Sequence, residues 1–219
     1  LSVLGKVWLG LATGAMALII FCLAAPGSSL FFPLVSLWCN AALFALALLV
    51  LRRAGVELDL FHKAVLVGVW AVAALYFIWA VAVVYFYWTL SSRSFIYVWD
   101  YANYLLKQYD AEAAFAQSTG AGFRFLLDSI TEDYTNFITL FTEFPFCLSG
   151  KTGDDYAFCQ VFSVLPSLLV LLAGLTVKVG RMLRVKNRFW YFLIGFSWCA
   201  TFPFVRMSAV LGQPDWFGL

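Results

Sequence analysis

The sequence predicts an all-α, polytopic membrane protein with about five spanning helices and one long external loop, and three observations predict it. The 219 residues are 63% hydrophobic and only 12% charged, with a mean hydropathy of +0.89, which is more apolar surface than a soluble core can hide. Charges are absent from long tracts such as Val65 to Thr89, where one charge at a bilayer centre would cost about 2.5–3.5 kcal/mol. Lys and Arg also gather beside alternate ends of these tracts, as they do in a chain that crosses a membrane repeatedly.

Five tracts reach the roughly 20 residues needed to cross about 30 Å of hydrocarbon. They lie near 4–25, 30–51, 65–88, 158–178 and 189–210. The first runs past the roughly 7–15 apolar residues of a signal peptide and is read as a retained helix. It joins the second through Pro26-Gly27-Ser28-Ser29, a helix-breaking turn that permits a tight hairpin. Residues 1–64 thus form an N-terminal hairpin with a polar loop, and residues 65–219 form a second module around an external loop, 90–157. The chain begins at Leu1 and stops at Leu219 soon after Pro214-Asp215-Trp216, so it is expected to be a piece of a longer protein.

Counting basic residues gives the orientation. One side receives Lys6, the loop with Arg52, Arg53 and Lys63, and the loop with Lys178, Arg181, Arg184, Lys186 and Arg188, nine in all. The segment 90–157 carries four basic and nine acidic residues, a net charge of −5. The positive-inside rule then puts the N-terminus in the cytoplasm and 90–157 outside, in an integral membrane protein. Basic residues in short loops beside apolar spans orient a membrane protein, so nucleic acid is dropped as a partner and membrane lipid retained.

The external segment is patterned as helix. Over Trp99 to Gln117, Leu105, Leu106, Tyr109 and Ala113 can share a face, while Asp100, Asn103, Tyr104 and Lys107 follow i, i+3, i+4, i+7 spacing. An amphipathic helix lying on the membrane surface fits that pattern. A second helical run, Phe123 to Ile130, leads through the polar elbow Thr131 to Asn136 into an aromatic stretch, Phe137 to Phe146, read as a re-entering helix.

Several side chains here could carry chemistry. Asp100 sits at the outer end of a span, where it could face a lipid-borne substrate or simply cap the helix beginning at Tyr101, a contribution of about 1 kcal/mol. Glu132 and Asp133 could hold a divalent cation, Mg²⁺ or Mn²⁺, or form a solvated acidic turn at a helix start. Lys107 and Arg124 could bind a phosphate on the same side. Arg206, in a mostly apolar tract, could do so or could snorkel to the interface. Cys147 and Cys159 flank a short polar loop on the outer side, where a disulfide is plausible chemistry; Cys22, Cys39 and Cys199 read as small core residues. The lone His62 reads as a surface residue.

At Tyr97-Val98-Trp99-Asp100-Tyr101-Ala102-Asn103-Tyr104 the chain resembles bacterial members of the C-type glycosyltransferase superfamily. The elbow Glu132-Asp133-Tyr134-Thr135-Asn136 before Phe144-Pro145-Phe146 is similar to that family's second acidic motif, with Thr135 interposed. The resemblance covers mainly 65–219. It implies a polytopic transferase that takes a sugar from a polyprenyl-phosphate donor and passes it to a glycan or other cell-envelope acceptor. Asp100, Glu132 and Asp133 would be catalytic, and Asn103, Tyr104, Lys107, Arg124 and Arg206 would bind substrate. The alternatives are a polysaccharide polymerase or transporter and a non-catalytic membrane scaffold. A transporter should break its spans near the middle, and 65–88 contains no such break.

Overall fold

The computed structural model describes residues 10–15, 17–18, 29–56, 70, 73–74, 77–78, 81–82, 99–131, 135–186, 190–191 and 193–195. These are mostly helical, with no strand among the described residues. The long elements are α1 (Phe31–Arg53), α2 (Trp99–Gln117), α3 (Thr119–Asp128), α4 (Thr139–Cys147) and α5 (Gly153–Met182), with a 3₁₀ turn at Asn136–Ile138 leading into α4.

Helix α1 contains 23 residues and so extends about 35 Å. Among the described residues it is the one helix that is long and apolar enough to cross a membrane. Its last turn holds Arg52 and Arg53, whose charge complements the negative end of the helix dipole. The helix stops where Gly55 turns left-handed at φ +76°. There the Val56 amide donates to Leu51 O at 2.9 Å and the Gly55 amide to Arg52 O at 3.0 Å, the two bonds of a Schellman stop. Val56 then packs on fully buried Leu51.

Helix α5 is 30 residues long, longer at both ends than the apolar tract 158–178 predicts. Hydropathy sees only the apolar middle, whereas the helix ends follow its caps. At the start, the Thr152 hydroxyl accepts from the Asp155 amide and the Asp155 carboxylate accepts from the Thr152 amide, a reciprocal capping box. At the end, Arg184 takes φ +52°, with Val185 N–H bonded to Gly180 O at 3.2 Å. Helices α1 and α5 run side by side in the same direction. Gly174 makes the close approach possible, since a Cβ there would lie 2.4 Å from the Leu51 side chain. Arg52 and Arg53 of α1 therefore share one end of the molecule with Lys178 and Arg181 of α5.

The opposite end is covered by α2, α3 and α4. The docking of α4 follows from Pro145 inside that helix, which has no N–H to give the carbonyl four residues earlier. That carbonyl, Phe141 O, accepts instead from Asn40 Nδ2 at 2.8 Å and Ser36 Oγ at 3.2 Å, both on α1. The Ser36 hydroxyl also accepts from the Phe144 amide at 2.8 Å. Two polar residues one turn apart in an apolar helix thus fasten α4 across its first turns.

Helices α2 and α3 form a hairpin around Ser118, whose hydroxyl accepts from the Ala121 amide at 3.1 Å and caps α3. The capped helix begins at Thr119, four residues before the apolar run that predicts it. Gly122 is required where the two helices meet, because a Cβ would lie 2.3 Å from the Phe115 ring. Phe115 stacks on Phe32 with centroids 4.1 Å apart, and Phe31, Val35, Ala111 and Leu126 complete the cluster. The bounds of α2 are those of the helical pattern from Trp99 to Gln117. Gln108, Ala111 and Phe115 face the core, while Leu106, Tyr109 and Ala113 of the expected apolar face are exposed. Tertiary packing against α1 and α4 selects the inward face.

The remaining predicted spans lie largely outside the described residues. Their described pieces are helical and pack along the two long helices. Trp38 Nε1 donates to Leu11 O at 3.2 Å while Leu18 packs near Phe31 and Phe32, so 10–18 runs opposite to α1. Trp70 packs beside Leu51 and Val170, and Phe77 meets Phe162 edge-on at 5.7 Å, so 70–77 runs opposite to α5. Tyr191 lies against Gly180 and Gly195 against Thr176, so 190–195 turns back along α5.

Candidate functional site

The structure distributes the candidate residues unevenly. Asp100 belongs to the first turn of α2; its side chain, and Glu132, Asp133 and Arg206 altogether, lie outside the described residues. Asn103 and Tyr104 are half-buried on α2, and Arg124 is exposed on α3. Lys107, two turns beyond Asp100, reaches away from α2 and donates to Asn136 Oδ1 at 2.6 Å.

Asn136 is a hub that the sequence left without a role. It is 5% exposed, and each of its polar groups has a partner on a different part of the α2–α4 layer. Its side-chain amide donates to Phe125 O at 2.8 Å. Its backbone N–H donates to Ser129 Oγ at 2.7 Å, and its carbonyl accepts from Thr139 Oγ1 at 2.7 Å. Ser129 is itself fully buried and donates to Leu126 O at 2.9 Å. Thr135, which interrupts the family-like motif, accepts from the Phe137 amide at 3.2 Å and caps the 3₁₀ turn. Buried polar groups satisfied this fully fix a loop in one arrangement.

A second polar cluster begins at the next residue of α2, Gln108. Glu143 of α4 is 2% exposed. Gln108 Nε2 donates to Glu143 Oε2 at 2.6 Å, and Thr142 Oγ1 holds Gln108 from the other side at 2.5 Å. Glu112, one turn past Gln108, is a charged neighbour and hydrogen-bond partner of Glu143 and pairs with Lys151 at 2.7 Å. Tyr109 donates to Lys151 O at 2.5 Å, which holds Lys151 in its left-handed conformation, φ +56°. Burial first, and the Glu112 charge second, push the Glu143 carboxyl up to about 8 against the opposing effects of Lys151 and Gln108. Glu143 is therefore mostly protonated at neutral pH. Sequence reading passed over it inside the aromatic stretch 137–146. The available signal was a lone carboxylate one residue before Phe144-Pro145-Phe146 in an otherwise uncharged run.

Cys147 and Cys159 are free thiols in this structure. Cys147 donates to Phe144 O at 3.0 Å, and burial raises its thiol above the ordinary range. Cys159 is 1% exposed. Among the described residues no three His, Cys, Asp or Glu side chains converge on a metal-sized site; Glu132 and Asp133, on which the metal expectation rests, are not among them. No protein family, curated protein or solved structure matches the chain.

Proposed function

We propose that this chain is part of a membrane glycosyltransferase that moves a sugar from a polyprenyl-phosphate donor to a cell-envelope acceptor at the outer face of a bacterial plasma membrane. The observation that supports this reading is the helical layer α2–α4 seated on the end of α1 remote from Arg52 and Arg53. In that layer the helix that begins with Trp99-Asp100 packs against the 3₁₀ turn that follows the elbow 132–135. The described residues on either side of the elbow, Ser129 and Asn136, thus pack in the same layer as α2, at one end of a spanning-length helix.

The five-span topology belongs to the same proposal. It is supported by helical pieces packed in alternating directions along α1 and α5, and by the basic residues collected at the end away from the layer.

In the proposed reaction the acceptor hydroxyl oxygen attacks the anomeric carbon of the donor sugar with inversion. Asp100 takes the hydroxyl proton as general base, while the bond from the anomeric carbon to phosphate oxygen breaks and the polyprenyl phosphate leaves with the electron pair. The leaving group is already an anionic phosphate, so strong acid catalysis is unnecessary. Cations such as Arg124 or Arg206 would stabilise it, and Glu132 and Asp133 are the hard oxygen donors that Mg²⁺ or Mn²⁺ takes.

The test is transfer by the intact protein in proteoliposomes supplied with labelled polyprenyl-phosphate sugars and an envelope glycan acceptor. Asp100→Asn should lower the rate by about 100-fold or more with the fold intact. Full transfer by the folded variant would overturn the assignment of Asp100.

A further inference from the structure

We infer that residues 148–152 form a strap beside Glu143, fastened to α2 by Lys151, which stays closed on the protonated carboxyl and opens when that carboxyl ionises. The inference is independent of the glycosyl-transfer reading. The strap joins α4 to α5, and its own side chains bury little: Leu148 is 74% exposed, and Gly150, Lys151 and Thr152 are exposed as well. Lys151 ties it to α2 twice. The ammonium pairs with Glu112 Oε1 at 2.7 Å, and the carbonyl accepts from the Tyr109 hydroxyl at 2.5 Å. The left-handed backbone of Lys151, φ +56°, is costly for a residue with a side chain, and these two bonds offset that cost. The strap therefore keeps its shape because α2 holds it.

The charge balance at Glu143 decides whether that hold is stable. Glu143 is 2% exposed, and the charged groups that act on it are Glu112 of α2 and Lys151 of the strap. The thiols Cys147 of α4 and Cys159 of α5 lie within reach of its charge. Tyr156 of α5 meets Phe146 of α4 edge-on at 5.8 Å, and α1 meets α4 through neutral Ser36 and Asn40. With Glu143 protonated, one carboxylate faces one ammonium. Ionisation sets two carboxylates against that ammonium, and the neutral Gln108 amide at 2.6 Å is too weak a donor to hold a charge out of water. Release of the exposed strap admits water to the new charge. The closed strap thus binds one proton more than the open strap. The closed carboxyl stands at about 8 against an ordinary 4.5, so opening gains as pH rises through that interval and levels off above it.

The experiment compares the intact wild type, Glu143→Gln and Lys151→Gly by two readouts. One is hydrogen-exchange protection over 147–153, and the other is the infrared carbonyl band of a carboxylic acid, which above pH 6 reports a carboxyl held protonated. Wild-type protection should fall by about tenfold or more between pH 5 and 8. Glu143→Gln should keep its protection within about twofold over the same range. Glycine accepts the backbone of Lys151 without strain, so Lys151→Gly removes the ammonium alone. That variant should lose about tenfold or more of the protection at pH 5, and its acid band should titrate lower, towards the ordinary 4.5. A strap that stayed closed without its ammonium would move the band the other way, because a neighbouring cation had been lost, and that result would overturn the fastening. Wild-type protection that ignores pH, or a pH-dependent loss that persists in Glu143→Gln, would overturn the proton control. A loss spread evenly over α2, α3 and α4 would overturn the strap itself. The band positions of wild type and Lys151→Gly decide the matter even if Glu143→Gln does not fold.

Discussion

Glu143 shows how one side chain can make the α2–α4 layer sensitive to pH. Its folded value of about 8 lies above the ordinary 4.5, so the folded chain holds a proton that the unfolded chain has released across that interval. Stability contributed by this proton is complete below about pH 4.5 and is lost as pH rises towards 8. The charged groups that face it are Glu112 and Lys151, with Gln108 as a neutral partner that Thr142 holds in turn. Thermal unfolding of the intact protein between pH 5 and 9 should show a midpoint that falls with rising pH, and Glu143→Gln should flatten this slope by removing the titration. An unchanged slope in Glu143→Gln would assign the effect to another group. Little of this was legible in the sequence. A glutamate in an aromatic run is visible there, but its value depends on Glu112 and Gln108 from a helix more than thirty residues away. Lys107 presents the same difficulty: spacing placed it on the face of Asp100, and only the fold shows its ammonium turned to Asn136.

Among the elements, α4 depends most plainly on a rule of backbone chemistry. Pro145 releases the Phe141 carbonyl, and Asn40 and Ser36 take it up. Asn40→Leu should cost about 1–3 kcal/mol, because a buried carbonyl then loses its strongest partner. The loss should appear as selective hydrogen exchange and protease sensitivity in 136–152, with α1 itself unaffected. Ser36→Ala should weaken the same contact through the Phe144 amide, so the two variants should combine non-additively. The existence of α1, α2 and α5 was readable from apolar length and period. Their ends were less so, because caps such as Thr152 with Asp155 and stops such as Gly55 operate outside the apolar run. The inward face of α2 was not legible for a related reason. Its periodicity offers more than one stripe, and Phe31 and Phe32 of a distant helix decide between them.

At the scale of the whole molecule, Arg52, Arg53, Lys178 and Arg181 gather at one end and α2–α4 at the other, and the proposed orientation puts the basic end in the cytoplasm. A membrane-impermeant maleimide applied to intact cells should label Gln117→Cys above the background of the native thiols and should label Lys186→Cys only after permeabilisation. The reverse pattern would invert the topology and remove the outer-face reaction with it. Order of synthesis adds a further consequence to the fastening of α4 on α1. Asn40 and its Phe141 partner are 101 residues apart, so at about 5–20 residues per second α1 is complete some 5–20 seconds before α4 exists. During that interval Asn40 can satisfy its amide only locally, through the Ser36 carbonyl that it also contacts in the finished fold at 3.0 Å. The helix that anchors the α2–α4 layer therefore emerges with a provisional hydrogen bond of its own, and it can wait for the partner that will recruit the same side chain.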